Sequence, residues 1–211
     1  MRQTLKDIFA DTPIISILRG ITPEEALEIG STILDADIPV LEVTMNSPRP
    51  LEAIKILTEK YGTSKLIGGG TVTSVQQVRD IHAVGGRIIV SPNTNTDVIE
   101  ETKRLGMFSV PGCFTPSEAF EAYYAGADIL KTFPCELIGT AGIKALRAIL
   151  PEDALLAAVG GINAGNLADF VKVGTNGFGV GSAIYTSDKS IADIKAGTVE
   201  MVSSVRAAFQ H

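Results

Sequence analysis

Short, almost wholly apolar runs alternate along the chain with longer amphipathic segments, and that alternation predicts the architecture. Residues 14–18, 40–43, 66–69, 88–91, 108–111, 128–133, 155–160 and 177–180 read as about eight strands. Continuous apolar runs, rather than a strict in–out alternation, are what strands covered on both faces need. The runs recur every roughly 20–28 residues. Between them, apolar residues fall at helical spacing in 50–60, 74–84, 97–105, 116–125, 142–150 and 166–173. Thr22-Pro23-Glu24-Glu25 offers an N-cap, a proline at the first helical position and acids in the first turn. The helix it opens presents Ala26, Leu27, Ile29, Ile33 and Leu34 as its apolar positions. Ahead of the first strand, residues 2–10 predict a short amphipathic helix with Leu5, Ile8 and Phe9 on one side.

Strands and helices in strict alternation imply parallel pairing and right-handed crossovers. Eight such units close into a (β/α)8 barrel. The expected fold is a single-domain α/β TIM barrel over residues 1–211 with a short N-terminal helix, and an open doubly wound sheet is the alternative. No composition shift or Pro/Ser-rich linker divides the chain. With 45% hydrophobic and 20% charged residues in a length of 211, it can bury a full core.

The net charge of −6 comes without a basic cluster. That argues against nucleic acid and anionic membrane as partners, and any anionic ligand must be held by a local site. No apolar run approaches the ~18 residues that span a bilayer. Met1–Asp7 contains no continuous apolar stretch, so no secretory signal is expected. Cys113 and Cys135 have no metal-ligand spacing and read as reduced packing thiols, which fits a cytoplasmic location.

Barrels of this kind carry their chemistry at the C-terminal ends of the strands. Those ends offer Arg19, Glu42, Gly70-Thr71, Pro92-Asn93, Gly112-Cys113, Lys131, Gly160-Gly161 and Gly181-Ser182. Lys131 stands inside the apolar run of the sixth strand. Either it reaches water or an acid, or burial lowers its pKa and makes it an amine nucleophile. Glu42 interrupts the second strand in the same way. The two are either a structural ion pair or the nucleophile and proton carrier of a Schiff-base enzyme. The glycine pairs after the seventh and eighth strands are either tight turns or a backbone anion site in the usual phosphate position. Gly179-x-Gly181 lacks the further glycine of a dinucleotide fingerprint, so NAD is not expected. Arg19 is placed either to clamp a carboxylate or to lie on the surface over the first helix. Thr71, after three glycines, either approaches a ligand or caps the next helix. His82 and His211 do not look catalytic, and no His/Asp/Glu ligand cluster is present; no metal and no cofactor are expected.

The segments Ile17–Pro23, Glu42–Pro48, Gly68–Val72, Ser91–Asn93, Pro111–Cys113, Leu130–Pro134, Ile143–Leu146, Ala158–Gly161 and Gly179–Ser182 stand in an order and spacing that is specific. Through them the chain, from about Ile14 to Tyr185, resembles the bacterial 2-keto-3-deoxy-6-phosphogluconate/6-phosphogalactonate aldolase family. The resemblance implies a class I aldolase that cleaves 2-dehydro-3-deoxy-6-phospho-D-galactonate to pyruvate and D-glyceraldehyde 3-phosphate through an imine, without a metal. It implies Lys131 as the Schiff-base lysine and Glu42 as the acid/base. Arg19 and Thr71 would contact the keto-acid end, with Pro92 and Phe133 also counted as substrate contacts. Gly160, Gly161, Gly181 and Ser182 would bind the phosphate. A homotrimer is likewise implied. Asn46-Ser47-Pro48 and Val159 stand where the gluconate branch typically has an arginine and a threonine, and Arg19-Gly20-Ile21-Thr22-Pro23 looks like the galactonate branch, whereas Thr44 is more typical of the gluconate branch. The gluconate or 4-hydroxy-2-oxoglutarate aldolase activity of the same family is therefore the alternative. More distant readings are a phosphosugar isomerase or phosphate-binding synthase on the same barrel, or a phosphoester-binding protein without catalysis.

Overall fold

The computed structural model describes residues 5–210. Residues 2–4 of the expected N-terminal helix, and His211, lie outside them. The strands are β1 (Ile14–Leu18), β2 (Val40–Thr44), β3 (Leu66–Gly70), β4 (Ile88–Val90), β5 (Phe108–Val110), β6 (Gly112–Cys113), β7 (Leu130–Thr132), β8 (Leu156–Val159) and β9 (Gly177–Val180). The helices are α1 (Leu5–Ile8), α2 (Pro23–Leu34), α3 (Pro50–Tyr61), α4 (Val75–Ala83), α5 (Thr96–Arg104), α6 (Pro116–Tyr124), α7 (Cys135–Arg147), α8 (Leu167–Lys172) and α9 (Ile191–Phe209).

All strand pairs are parallel, in the order β5-β4-β3-β2-β1-β9-β8-β7-β6. The two ends of that order, β5 and β6, are halves of one stave parted only by Pro111. The Asp128 amide donates to Ser109 O at 2.9 Å and the Lys131 amide to Pro111 O at 2.9 Å, so the ring closes. Eight staves therefore form a (β/α)8 barrel, and the open sheet is excluded. Proline has no N–H for the ladder, which explains why the expected fifth strand is split at Pro111.

Inside the barrel, Ile15, Val40, Leu66, Ile88, Val90, Val110 and Ile129 pack together, and Leu5 and Phe9 join them at the N-terminal end. Phe9 lies so close under β9 that a Cβ on Gly177 would meet its ring at 3.0 Å. The outer faces of the strands, with Leu18, Leu41, Val43, Ile67 and Ile89, pack against the helices. Helix starts follow the polar signals. The Glu25 carboxylate accepts from the Thr22 amide at 3.2 Å before α2, and Glu118 accepts from the Thr115 amide at 2.8 Å before α6.

Three elements depart from the sequence reading. β7 is shorter than residues 128–133, because the Asp128 carboxylate accepts from the Ser109 amide at 2.7 Å and pairs with Lys103 at 2.5 Å. The helix expected at 142–150 begins at Cys135 and ends at Arg147, with Gly139 at φ 64° and ψ 175° breaking it into two helical pieces. The long α9 had no counterpart in the reading at all.

Candidate active site

Strand parity decides which side chains meet at the C-terminal mouth. On β2, Val40 faces the barrel interior, and so does Glu42, two residues on. Ile129, just before β7, and Lys131 on it share that orientation, while Leu130 packs outward. Glu42 is 2% exposed and Lys131 6% exposed, so neither reaches out to bulk water. Lys131 stands in register with Gly112 on one side and Ala157 on the other, so the flanking strands set only small residues beside it. Its Nζ lies 4.5 Å from the centroid of the Phe133 ring.

Glu42 has its own clearance. A Cβ on Gly70 would sit 1.0 Å from Glu42 Oε2, so the missing side chain is the space the carboxylate fills. That oxygen is buried without a hydrogen-bond partner. Among the described residues no ion pair joins Lys131 to Glu42, which removes the structural-pair reading. Burial raises the Glu42 pKa to about 7 against the opposing pull of the Lys131 and Arg19 charges. Burial lowers that of Lys131, Arg19 lowers it further, and only Glu42 raises it. The arrangement supplies an amine that gives up its proton more easily than usual, beside a carboxyl that exchanges one near neutrality.

Arg19 ends β1 and reaches across the mouth. Its Nη1 donates to Asn46 Oδ1 at 2.8 Å and its Nη2 to Thr71 Oγ1 at 3.3 Å. Arg19 is itself exposed, but these bonds set it over the mouth, and the alternative that it lies over the first helix is set aside. So is the helix cap at Thr71: it has φ 56°, and Ser74 is the residue that caps α4, accepting from Gln77 N. Behind Arg19, Ser47 Oγ accepts from the Gly20 amide at 2.9 Å and shares a hydrogen bond with Thr44 Oγ1 at 2.9 Å. The β1 and β2 loops are thus tied together.

Beside this group opens a cavity of about 430 Å³. Six expected site residues line it: Arg19, Phe133, Gly160, Gly161, Gly181 and Ser182. Gly160 and Gly161 adopt φ of 105° and 67°, a conformation that side chains disfavour. The amides of Gly160, Gly161, Ser182 and Ala183 donate to no acceptor among the described residues. The segment after β9 is a hydrogen-bonded turn. The other four expected site residues, Lys131, Glu42, Thr71 and Pro92, do not line the cavity. Pro92 lies at the rim, its carbonyl 2.4 Å from where a Cβ on Gly112 would stand.

The sequence reading missed Tyr185, Thr186 and Ser187 in the cavity wall, although a run of hydroxyls directly after the last strand was a usable signal. The Tyr185 hydroxyl is buried without a partner. It also missed Glu136, whose Oε2 would be 2.3 Å from a Cβ on Gly160. Cys113 and Cys135 are buried, with burial pushing Cys113 up to about 12, so both are packing thiols. His82 lies in the last turn of α4, away from the mouth. Among the described residues no group of three or more His, Cys, Asp or Glu side chains is placed to hold a metal ion. No helix among them is long and apolar enough to cross a membrane.

Known proteins are similar to this chain in sequence and fold. The Escherichia coli (strain K12) 2-dehydro-3-deoxy-6-phosphogalactonate aldolase is 40% identical over 198 residues, 94% of this chain and 97% of that one. A solved structure described as native KDPGal superposes with a TM-score of 0.92 at 40% identity, covering 94% of this chain and 97% of that one. A Legionella pneumophila KDPG aldolase, solved with pyruvate captured at low pH as a covalent carbinolamine intermediate, gives a TM-score of 0.82 at 25% identity over 98% of each chain. The family model for KDPG and KHG aldolase matches residues 5–204, and the chain belongs to that family.

Proposed function

We propose that the protein is a class I aldolase that cleaves 2-dehydro-3-deoxy-6-phosphogalactonate to pyruvate and D-glyceraldehyde 3-phosphate. The observation that carries this reading is the buried Lys131, with no acid paired to it and with Glu42 near enough to act on its charge. Its neutral amine attacks the C2 ketone to give a carbinolamine. Glu42 in its protonated form donates to the departing hydroxyl, water leaves, and the iminium forms. The carboxylate so produced takes the proton of the C4 hydroxyl. The C3–C4 bond breaks, its electron pair moves into the iminium as an enamine, and the aldehyde departs. Glu42 returns the proton to C3, and water releases pyruvate and the amine.

Arg19, with Thr71 beside it, holds the carboxylate of the keto acid by charge and hydrogen bonds. The phosphate lies against the free amides of the loops after β8 and β9, which face the cavity without Cβ atoms in the way. The galactonate epimer is favoured because the relative at 40% identity is named for it. We extend the proposal to a homotrimer, the assembly implied by the resemblance, and to a cytoplasmic location, which suits a phosphorylated sugar acid and two free thiols.

Borohydride reduction in the presence of pyruvate, followed by peptide mass spectrometry, tests the assignment. The expected result is one adduct, on Lys131. An adduct on Lys144, which is exposed on α7, or no adduct at all, rules out the mechanism.

A further inference from the structure

Two of the free amides at the phosphate end, those of Ser182 and Ala183, belong to peptide units whose carbonyls are both restrained. The Gly181 carbonyl accepts from the Ile184 and Tyr185 amides at 2.9 Å each. The Ser182 carbonyl accepts from Lys189 Nζ at 2.8 Å, and the same ammonium reaches Ala183 O at 2.8 Å and Ile184 O at 3.3 Å. An ammonium has three donors, and here all three are used on this one turn. Across a planar trans peptide the C=O and N–H point in opposite directions. A carbonyl pinned behind the turn therefore aims the N–H of its own unit the other way. From behind, α9 approaches so closely that a Cβ on Gly197 would be 2.9 Å from Ala183 O. Glycine inside a helix is otherwise unfavourable, so the close seat of the turn on α9 explains its presence there. Gly181 and Ser182 line the cavity, whereas Lys189 does not, so Lys189 acts through the turn and not by touching the ligand.

We propose that Lys189 is the positioning residue of the phosphate subsite: it holds the turn after β9 so that its amides are aimed before the phosphorylated substrate arrives. No carboxylate among the described residues forms an ion pair with it; the neighbouring Asp188 feels its charge without bonding to it, so that charge is offset only in part and still favours an anion on the far side of the turn. The inference rests on the aldolase reading above and adds to it a residue outside the cavity.

The test compares wild type, Lys189→Met and Lys189→Arg on the phosphorylated keto acid and on the same keto acid without its phosphate, with inorganic phosphate as a competing anion. Lys189→Met should raise KM for the phosphorylated substrate, and the inhibition constant of inorganic phosphate, by about tenfold each. Its kcat and its kinetics on the unphosphorylated substrate should stay within about twofold of wild type, and Lys189→Arg should recover most of the loss. Equal losses on both substrates mean that Lys189 only stabilises the fold and overturn the proposal. Unchanged phosphate inhibition in Lys189→Met overturns it as well. If wild type cleaves neither substrate, the aldolase reading falls and this inference with it. If wild type prefers the phosphorylated substrate and Lys189→Met does so to the same degree, only the role of Lys189 is lost.

Discussion

Replacing Glu42 by glutamine asks whether the barrel holds a carboxyl that burial keeps neutral, and the structure sets both the size and the pH window of the effect. Burial lifts Glu42 from 4.5 to about 7. That interval, at about 1.4 kcal/mol per pH unit, amounts to about 3 kcal/mol. The folded-state pKa lies above the unfolded value, so folding takes up a proton here. The stability contributed by the neutral carboxyl is complete below about pH 4.5 and is lost as pH rises through about 7. The Glu42→Gln variant has no proton to lose at this position. Its stability relative to wild type should climb by about 3 kcal/mol between these limits and be level on either side. Urea unfolding of both proteins at one concentration, across that pH range, reads the difference by circular dichroism; the chain has no tryptophan for fluorescence. The same titration should give kcat/KM an inflexion near pH 7 that the variant lacks. A flat difference would show that Glu42 is not held neutral. A difference of opposite sign, with wild type gaining as pH rises, would show that Lys131 and Arg19 hold it ionised and that burial is the lesser effect.

Two further substitutions follow from the site. Gly70→Ala puts a methyl where Glu42 Oε2 lies, 1.0 Å away, so the carboxylate must leave; kcat should fall about 100-fold or more, and a wild-type kcat would contradict the placement. Asn46→Asp turns the neutral partner of Arg19 into an acid that cancels its charge; KM should rise about tenfold with kcat nearly kept, and Asn46→Ala should cost less because it leaves the charge free.

The barrel was legible because strands buried on both faces read as apolar runs, and because capping residues such as Thr22 and Thr115 mark the helix starts. α9 was not. Its buried seam runs through Ile194, Thr198, Met201, Val202 and Val205, and Thr198 interrupts the apolar spacing. Inside the helix that hydroxyl is satisfied by Ile194 O at 2.7 Å, which no apolar pattern reveals. α7 was misread at both ends: the turn before Gly139 is helical, and the helix stops at Arg147. Glu42 and Lys131 stood out as charges within apolar runs, and strand parity alone turns them inward. Asn46 and Lys189 were less visible. Their contacts depend on where loops fold back, and each reads in isolation as an ordinary polar loop residue. For Thr71 the two readings separated only through its positive φ and the cap at Ser74.

The charge pattern shows how a chain of net charge −6 can still draw an anion to one place. Arg79 and Arg104 both bond to Glu101, Arg49 to Glu24 and Glu52, and Arg206 to Asp37. These charges are cancelled where they stand. Arg19 is different: its partners are the neutral oxygens of Asn46 and Thr71, so its charge stays available at the mouth. That charge lowers the pKa of both Glu42 and Lys131. A keto-acid carboxylate seated on Arg19 would offset the pull on both. Glu42 would then be protonated more of the time with substrate bound, which is the form that expels water from the carbinolamine. The same step makes Lys131 a poorer source of free amine. On the proposed reading the empty Arg19 helps free the amine before the carboxylate arrives, and the bound carboxylate then favours the protonated Glu42 that dehydration of the carbinolamine needs.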